Sequence, residues 1–194
     1  MNKELNQEQV KQLEQKLKDM SPEEIQEMIK KQCLFCNILN GNIESKKIYE
    51  DDKVMALLDI HPAVRGHTLL FPKKHFQVMN QVPDDIVAHL FKVANKISSV
   101  LFELLKADGT SIYVGNGQIA GQNVPHAVVH IIPRFNDDKV TIGWQGTKVS
   151  EKDMEGLQLD LEKLLKNISF EKKEEKIATK KPEKIVRYNE ERIP

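Results

Sequence analysis

Residues 121–134 read GQNVPHAVVHIIPR, and the apolar, β-branched part of this segment predicts a β-strand over 127–133. Alternate residues of a strand share a face of the sheet. One predicted face carries His126, Val128 and His130, and the other, facing the core, carries Ala127, Val129 and Ile131. Two histidines therefore flank a valine on one surface. The glycine-containing loop just upstream, 116–122, could bring backbone N–H groups close to an anion, although most such loops are only turns.

The chain upstream of this strand predicts the rest of an α+β domain. Short β-rich runs broken by turn residues predict four more strands, at 47–49, 54–58, 68–71 and 111–114. Between the third and fourth strands, apolar residues recur at helical spacing after Pro83, which predicts one helix of about 20 residues. Strands before and after a single helix are typical of the α+β class.

Both ends of the chain differ in composition from the part between them. Residues 1–32 hold no glycine and predict an N-terminal helical extension, with helices at about 5–19 and 22–31 and a capping box between Ser21 and Glu24. A further helix is expected at 151–166, capped by Ser150 and packed on the sheet. Residues 169–194, rich in Glu and Lys, predict a charged flexible tail. The expected organisation is thus an extension (1–32), one domain (33–168) and a tail.

Composition excludes several classes of function. The chain has 194 residues, enough for one ordinary core, and its 29 basic and 29 acidic residues cancel. An apolar run of the roughly 20 residues that a membrane helix needs is absent from the sequence, and the N-terminus is charged, so we expect a soluble cytoplasmic protein without a membrane partner. The only cysteines, Cys33 and Cys36, form a C-x-x-C pair, which indicates metal ligands or a redox couple before a structural disulfide.

Four blocks, taken together in their order and spacing, resemble the histidine-triad (HIT) family. They are residues 33–38, 48–52, 58–60 with 65–75, and 116–134. The resemblance covers about two-thirds of the chain, from Cys33 to about Leu165. It implies a five-stranded antiparallel sheet with one long helix and a C-terminal helix. It also implies a homodimer that binds a purine nucleotide or nucleoside monophosphate, with the α-phosphate over the strand that carries the histidines.

The resemblance implies a role for each matching residue of the nucleotide site. Asp59 matches the acidic residue that holds the ribose hydroxyls, a task suited to a carboxylate that accepts two hydrogen bonds. Asn116 and Gln122 match polar residues beside the phosphate, and His130 matches the third triad histidine, which lies at the phosphate. His67 matches a histidine near the same strand, and it is either a ligand or a satisfied, partly buried histidine.

Val128 departs from the family pattern, because the resemblance implies a nucleophilic histidine at this position. Valine has no lone pair, so it can be neither nucleophile nor general base. We therefore expect nucleotide binding without the covalent nucleotidyl-histidine mechanism. The valine is interpreted as an adapted apolar wall or as a decayed site, and an engineered change stays open. The alternative function is an active nucleotide phosphoramidase, hydrolase or nucleotidyl transferase using His130 as the base, and a third is an interaction scaffold with an empty pocket.

The zinc-bearing branch of the family implies a second site. Its ligands would be Cys33, Cys36, His75 and His126, a complete tetrahedral set that leaves no open position for a substrate, so the zinc would be structural. A reduced thiol pair is the plain alternative. His61 and His89 show no partner pattern and are interpreted as surface or core residues. The terminal extensions are possible contacts for a protein or ribonucleoprotein partner.

Overall fold

The computed structural model describes residues 19–168. Its helices are α1 (Pro22–Gln32), α2 (Leu34–Leu39), α3 (Asp84–Leu105) and α4 (Glu151–Leu165). Its strands are β1 (Lys47–Glu50), β2 (Val54–Leu58), β3 (Thr68–Pro72), β4 (Gly109–Tyr113) and β5 (Val129–Arg134). The five predicted strands and the predicted helices at 22–31, after Pro83 and at 151–166 are confirmed within a few residues. The helix expected at 5–19, except for Asp19, and the tail expected at 169–194 lie outside the described residues, as do any partner contacts that they make.

The five strands form one antiparallel sheet in the order β1-β2-β3-β5-β4. This confirms the α+β class and the five-stranded antiparallel sheet. His130 of β5 lies opposite Leu69 on one side and Tyr113 on the other. The strand that carries the histidine is therefore an inner strand, held in register by two neighbours.

Strands β2 and β3 are buried on both faces of the sheet, which explains their continuous apolar runs. One core lies between the sheet and α3, and it includes Val54, Leu70, Leu90 and Ile131. The residues of β2 and β3 between these point to the opposite face. There a second core joins them to the segment around α2, and it consists of Cys33, Phe35, Cys36, Met55, Leu57, Leu69, Phe71 and Val128.

Strand β5 begins at Val129, two residues later than predicted. The reason is a tertiary contact, because the Ala127 amide donates to the Phe76 carbonyl (2.7 Å) in a loop instead of to a neighbouring strand. The two-faced pattern nevertheless holds across the boundary. Ala127 and Val129 belong to the core on the α3 side, whereas Val128 belongs to the second core.

The helix ends follow the sequence closely. The Ser21 side chain accepts from the Glu24 amide and Glu24 accepts from the Ser21 amide, so the predicted capping box is confirmed. Ser150 likewise caps α4. The chain divides into two compact units after Ile142, and α4 belongs to the second, so its packing on the sheet stays a prediction. No helix within residues 19–168 combines the length and apolarity that a membrane crossing requires.

Candidate functional site

A cavity of about 350 Å³ opens on the face of the sheet that carries the second core. Its apolar lining, named the apolar end, includes Leu34, Phe35, Ile38, Ile43 and Leu57. Its polar lining, named the polar end, includes Asp59, Gln122, Asn123 and His130, the last of which lies opposite Leu69 in the sheet. No lysine or arginine is among the described residues that line it. The cavity thus offers an apolar slot for a flat ring system and a polar end with histidine as its cationic or hydrogen-donating group.

Two histidines meet at the polar end. The Ala63 amide donates to His67 Nδ1 (3.2 Å), so that nitrogen uses its lone pair and the proton of the neutral ring lies on Nε2. Asp59 Oδ2 is 3.4 Å from the same nitrogen, longer than a usual hydrogen bond. His67 Nε2 lies 3.1 Å from His130 Nδ1 and therefore donates to it. This leaves the proton of neutral His130 on Nε2, which has no hydrogen-bond partner within the described residues.

Burial keeps both rings in the neutral form. Desolvation lowers the pKa of His67 and of His130 below the usual 6.5, and the neighbouring ring lowers the pKa of His130 further. Asp59 acts in the opposite direction on both pKa values but is the smaller effect. Near pH 7, His130 therefore presents an N–H donor, and not a lone pair, at its free nitrogen.

Val128 lies between His126 and His130 along the cavity wall, with 9% of its surface exposed. Its side chain packs in the second core and offers neither a lone pair nor a proton. The predicted arrangement, two histidines flanking a valine on one surface, is therefore present, and all three residues line the same cavity.

The loop between β4 and β5 lies at the polar end of the cavity. Either a close backbone contact or a positive φ explains each of its glycines. A Cβ on Gly115 would lie 2.4 Å from the Ala120 carbonyl oxygen, and Gly117 and Gly121 have φ of +88° and +84°. Gln122 ties the loop together, since its Oε1 accepts from the Gly117 amide (2.7 Å) and its Nε2 donates to the Gln77 (2.6 Å) and Val124 (3.0 Å) carbonyls.

Of the two polar residues expected beside a phosphate, the structure brings only one to the cavity. Gln122 lines it, whereas Asn116 does not. The Asn116 Oδ1 instead accepts from the Met79 amide (2.8 Å). In this structure Asn116 anchors the loop to the segment before α3.

Two of the six histidines have surroundings in the structure that the sequence does not indicate. His61 lines the cavity, and its amide donates to Asp59 Oδ1 (2.9 Å). Its position two residues after the predicted ribose ligand was the available signal. His89 does have a partner, Asp51 Oδ2 at 2.7 Å, which joins α3 to the β1–β2 turn.

A second cluster gathers Cys33, Cys36, His75 and His126, whose ligand atoms all lie within 4.8 Å of one another. The Sγ of Cys33 is 3.4 Å from His126 Nδ1, and the Sγ of Cys36 is 3.3 Å from His75 Nδ1 and 3.9 Å from His126 Nδ1. Sulfur and nitrogen ligands of one tetrahedral zinc ion would be roughly 3.6 Å apart, from bond lengths of about 2.3 and 2.05 Å. The four residues therefore have the spacing to hold a metal ion.

The chemistry of the donors agrees with that spacing. His126 Nε2 donates to the Pro72 carbonyl (2.9 Å), which leaves the lone pair of Nδ1 facing the thiols. Desolvation lowers the pKa of His126 to about 4, and desolvation together with the Cys33 side chain raises the pKa of Cys36 to about 12. Neutral imidazole is the ligand form of histidine, and a bound cation would offset the penalty for a buried thiolate.

The fold and these two sites define an α+β domain with a cavity of small-molecule size and a Cys₂His₂ cluster that could hold a metal ion. The chain belongs to the HIT family, since the model of the HIT domain matches residues 40–137. An HIT-like protein of Methanocaldococcus jannaschii is 40% identical over 136 residues, which cover 70% of this chain and 98% of that protein.

Two other similar proteins carry more specific descriptions. The adenosine 5'-monophosphoramidase of Candida albicans is 31% identical over 145 residues, covering 72% of this chain and 95% of that protein. The structure of a zinc-bound histidine triad family protein from Mycobacterium smegmatis superposes with a TM-score of 0.55 at 34% identity, covering 71% of this chain and 98% of that chain. The family therefore includes nucleotide-acting and metal-bound members.

Proposed function

We propose that this chain binds a purine nucleotide, as the nucleoside monophosphate, without forming a covalent nucleotidyl-histidine. The observation that carries the proposal is Val128, which lies on the cavity wall between His126 and His130. The cavity around Val128 has an apolar slot and a polar end, whereas the valine side chain cannot attack phosphorus.

Each part of a nucleotide has a matching part of the cavity. The base fits the apolar end beside Phe35 and Ile38, and the Asp59 carboxylate can accept from both ribose hydroxyls. The phosphate lies at His130, whose Nε2–H has no partner among residues 19–168 and can donate a charge-assisted hydrogen bond. Gln122 acts by holding the loop beside the phosphate, since its amide is already bonded to that loop.

The orientation of His130 also argues against its use as a base. The lone pair of its Nδ1 accepts from His67, so the nitrogen left for the ligand carries a proton. The alternative, an active phosphoramidase, hydrolase or nucleotidyl transferase, is favoured by the similarity to the Candida albicans monophosphoramidase. It requires His130 to change tautomer or a different residue to attack.

We further propose that Cys33, Cys36, His75 and His126 hold a structural zinc ion. Its support is the close approach of four ligand atoms and the burial of Cys33, Cys36 and His126. A bound ion would cross-link α2, the segment after β3 and the segment before β5, and four protein ligands would leave it no open position for a substrate. His126 is then a ligand and takes no part in chemistry at phosphorus.

A homodimer is the proposed assembly, with β4 as the contact. Both β4 and β1 are edge strands of the described sheet. Both edges expose an isoleucine, Ile48 (46%) and Ile112 (40%), but β1 is protected by Lys47, Glu50 and an irregular register, whereas β4, with the sequence GTSIY, has no charge. Light scattering should therefore show a dimer that Ile112→Lys dissociates and that Ile48→Lys, on the opposite edge, leaves intact.

The nucleotide proposal is tested by calorimetric titration of AMP into the full chain. We expect saturable 1:1 binding that His130→Asn weakens by roughly 10- to 100-fold, the loss of one hydrogen bond to a charged group. The matched control is His89→Asn, because His89 binds Asp51 away from the cavity. Absence of AMP binding by the unmodified chain would refute the proposal and favour the scaffold alternative. Elemental analysis of the same sample should give one zinc per chain.

A further inference from the structure

Helix α2 takes part in both sites. Cys33, which precedes it, and Cys36 within it are two of the four metal-ligand residues. The neighbouring side chains Leu34, Phe35 and Ile38 line the cavity. This six-residue helix and its N-cap residue thus contribute both part of the cavity wall and two of the four metal-ligand residues.

Little within α2 itself stabilises it. Its N-cap, Cys33, makes no side-chain capping bond, and it has neither an acidic residue in the first turn nor a basic residue in the last. Isolated helices shorter than about 12 residues are marginal in water. The position of α2 therefore depends on what its side chains contact.

Phe35 lines the cavity and also contacts His126, which belongs to the metal cluster and itself lines the cavity. Its ring centroid lies 4.5 Å from that of Phe71 and 5.6 Å from that of His126, the latter in an edge-on arrangement. Phe35 is 4% exposed and lines the apolar end of the cavity. A shift of the His126 ring or of α2 would therefore move the surface on which a base packs.

A second connection runs through the backbone of His126. Gln122 Nε2 lies 3.3 Å from the His126 carbonyl and also bonds the Val124 carbonyl, while its Oε1 holds the Gly117 amide. The residue that would ligate the metal is in this way bonded to the loop at the polar end. Both ends of the cavity are tied to the metal cluster.

We infer that metal binding and nucleotide binding are energetically coupled through α2, with Phe35 as the positioning residue that transmits the coupling. The inference rests on the proposed function of both sites. A metal ion fixes α2 and His126, and the nucleotide then meets a preformed wall instead of ordering it on binding. Coupling of this kind is reciprocal, so the nucleotide must raise the metal affinity by the factor by which the metal raises the nucleotide affinity.

The test compares the zinc-loaded full chain with the chain stripped by a chelator. AMP affinity should fall about tenfold without zinc, within the range of about 5- to 150-fold that is usual for coupled sites. Competition against a chromophoric chelator should show zinc affinity rising by the same factor in saturating AMP. Phe35→Ala should reduce the ratio of AMP affinities with and without zinc towards one. The control, Val93→Ala, shortens a buried side chain in the core on the opposite face and should leave the factor unchanged.

Hydrogen exchange shows which segments the metal stabilises, and it distinguishes this local effect from a general loss of the fold. Zinc removal should lower amide protection in residues 33–40 and 115–128 and leave α3 protected. Uniform loss of protection would overturn the inference, because the metal would then stabilise the whole domain and not the wall. Equal AMP affinity with and without zinc would overturn the coupling alone, whereas failure to bind zinc or AMP at all would refute the proposed function beneath it.

Discussion

Gly115→Ala tests whether the β4–β5 loop shapes the nucleotide site. Gly115 does not have a positive φ, so alanine is conformationally allowed and the effect is steric. Its Cβ would lie 2.4 Å from the Ala120 carbonyl oxygen, and both belong to the loop that closes the polar end. That oxygen must retreat by roughly 1 Å to regain an ordinary van der Waals separation.

The expected magnitudes follow from that displacement. Overpacking of this kind costs about 1–3 kcal/mol, which corresponds to a fall in melting temperature of roughly 3–10 °C in a domain of this size. Displacing the loop should also weaken AMP binding by about tenfold, the equivalent of one lost hydrogen bond.

Calorimetric AMP titration and thermal melting of both alanine variants separate the two effects. The matched control is Gly109→Ala in β4, whose Cβ would meet Arg134 Cβ at 3.9 Å, an ordinary contact. Gly109→Ala should retain wild-type AMP affinity. If Gly115→Ala binds AMP as tightly as Gly109→Ala, the β4–β5 loop does not form part of the nucleotide site.

Three further predictions follow from the same geometry. His67→Phe removes the donor that fixes the His130 tautomer, so AMP affinity should fall about three- to tenfold. The ¹⁵N chemical shifts of His130 should then show a mixture of tautomers. Unchanged shifts would contradict the tautomer assigned to His130. The pKa values of His67 and His130 are lowered by folding, so the unfolded chain binds more protons below about pH 6.5 and stability should decline as pH falls through that range. Urea denaturation from pH 8 to 5 checks this, and the slope should be shallower in His130→Phe. Asn116→Ala should cost about 1 kcal/mol of stability through the lost bond to the Met79 amide and leave AMP affinity nearly unchanged; a large loss of affinity would place Asn116 at the phosphate after all.

The sequence predicts the strands well because each is a short, mainly apolar run bounded by turn residues. It predicts α3 from its apolar periodicity and α1 from its capping box. It misses α2, because six residues without a capping side chain give no periodic or terminal signal. It places the start of β5 too early, since the contact that interrupts the strand, from Ala127 to Phe76, joins residues about 50 positions apart.

The candidate site is likewise predicted only in part. The four metal-ligand residues follow from the resemblance to the zinc-bearing branch of the HIT family, and the structure brings them together although Cys33 and His126 are 93 residues apart. Side-chain direction was not predictable, because it depends on competing local partners. Asn116 therefore faces Met79, and His61, dismissed as an ordinary histidine, lines the cavity. The tautomer of His130 depends on the Ala63 amide, which no sequence pattern reveals.

If the pocket binds nucleotide while Val128 removes the covalent chemistry, the chain should not turn over a nucleoside phosphoramidate. We predict no release of nucleoside monophosphate by the unmodified chain and measurable release by Val128→His. A melting curve must show that the new imidazole, at a position only 9% exposed, leaves the domain folded. Turnover by the unmodified chain that His130→Ala abolishes would contradict the account and assign the chemistry to His130.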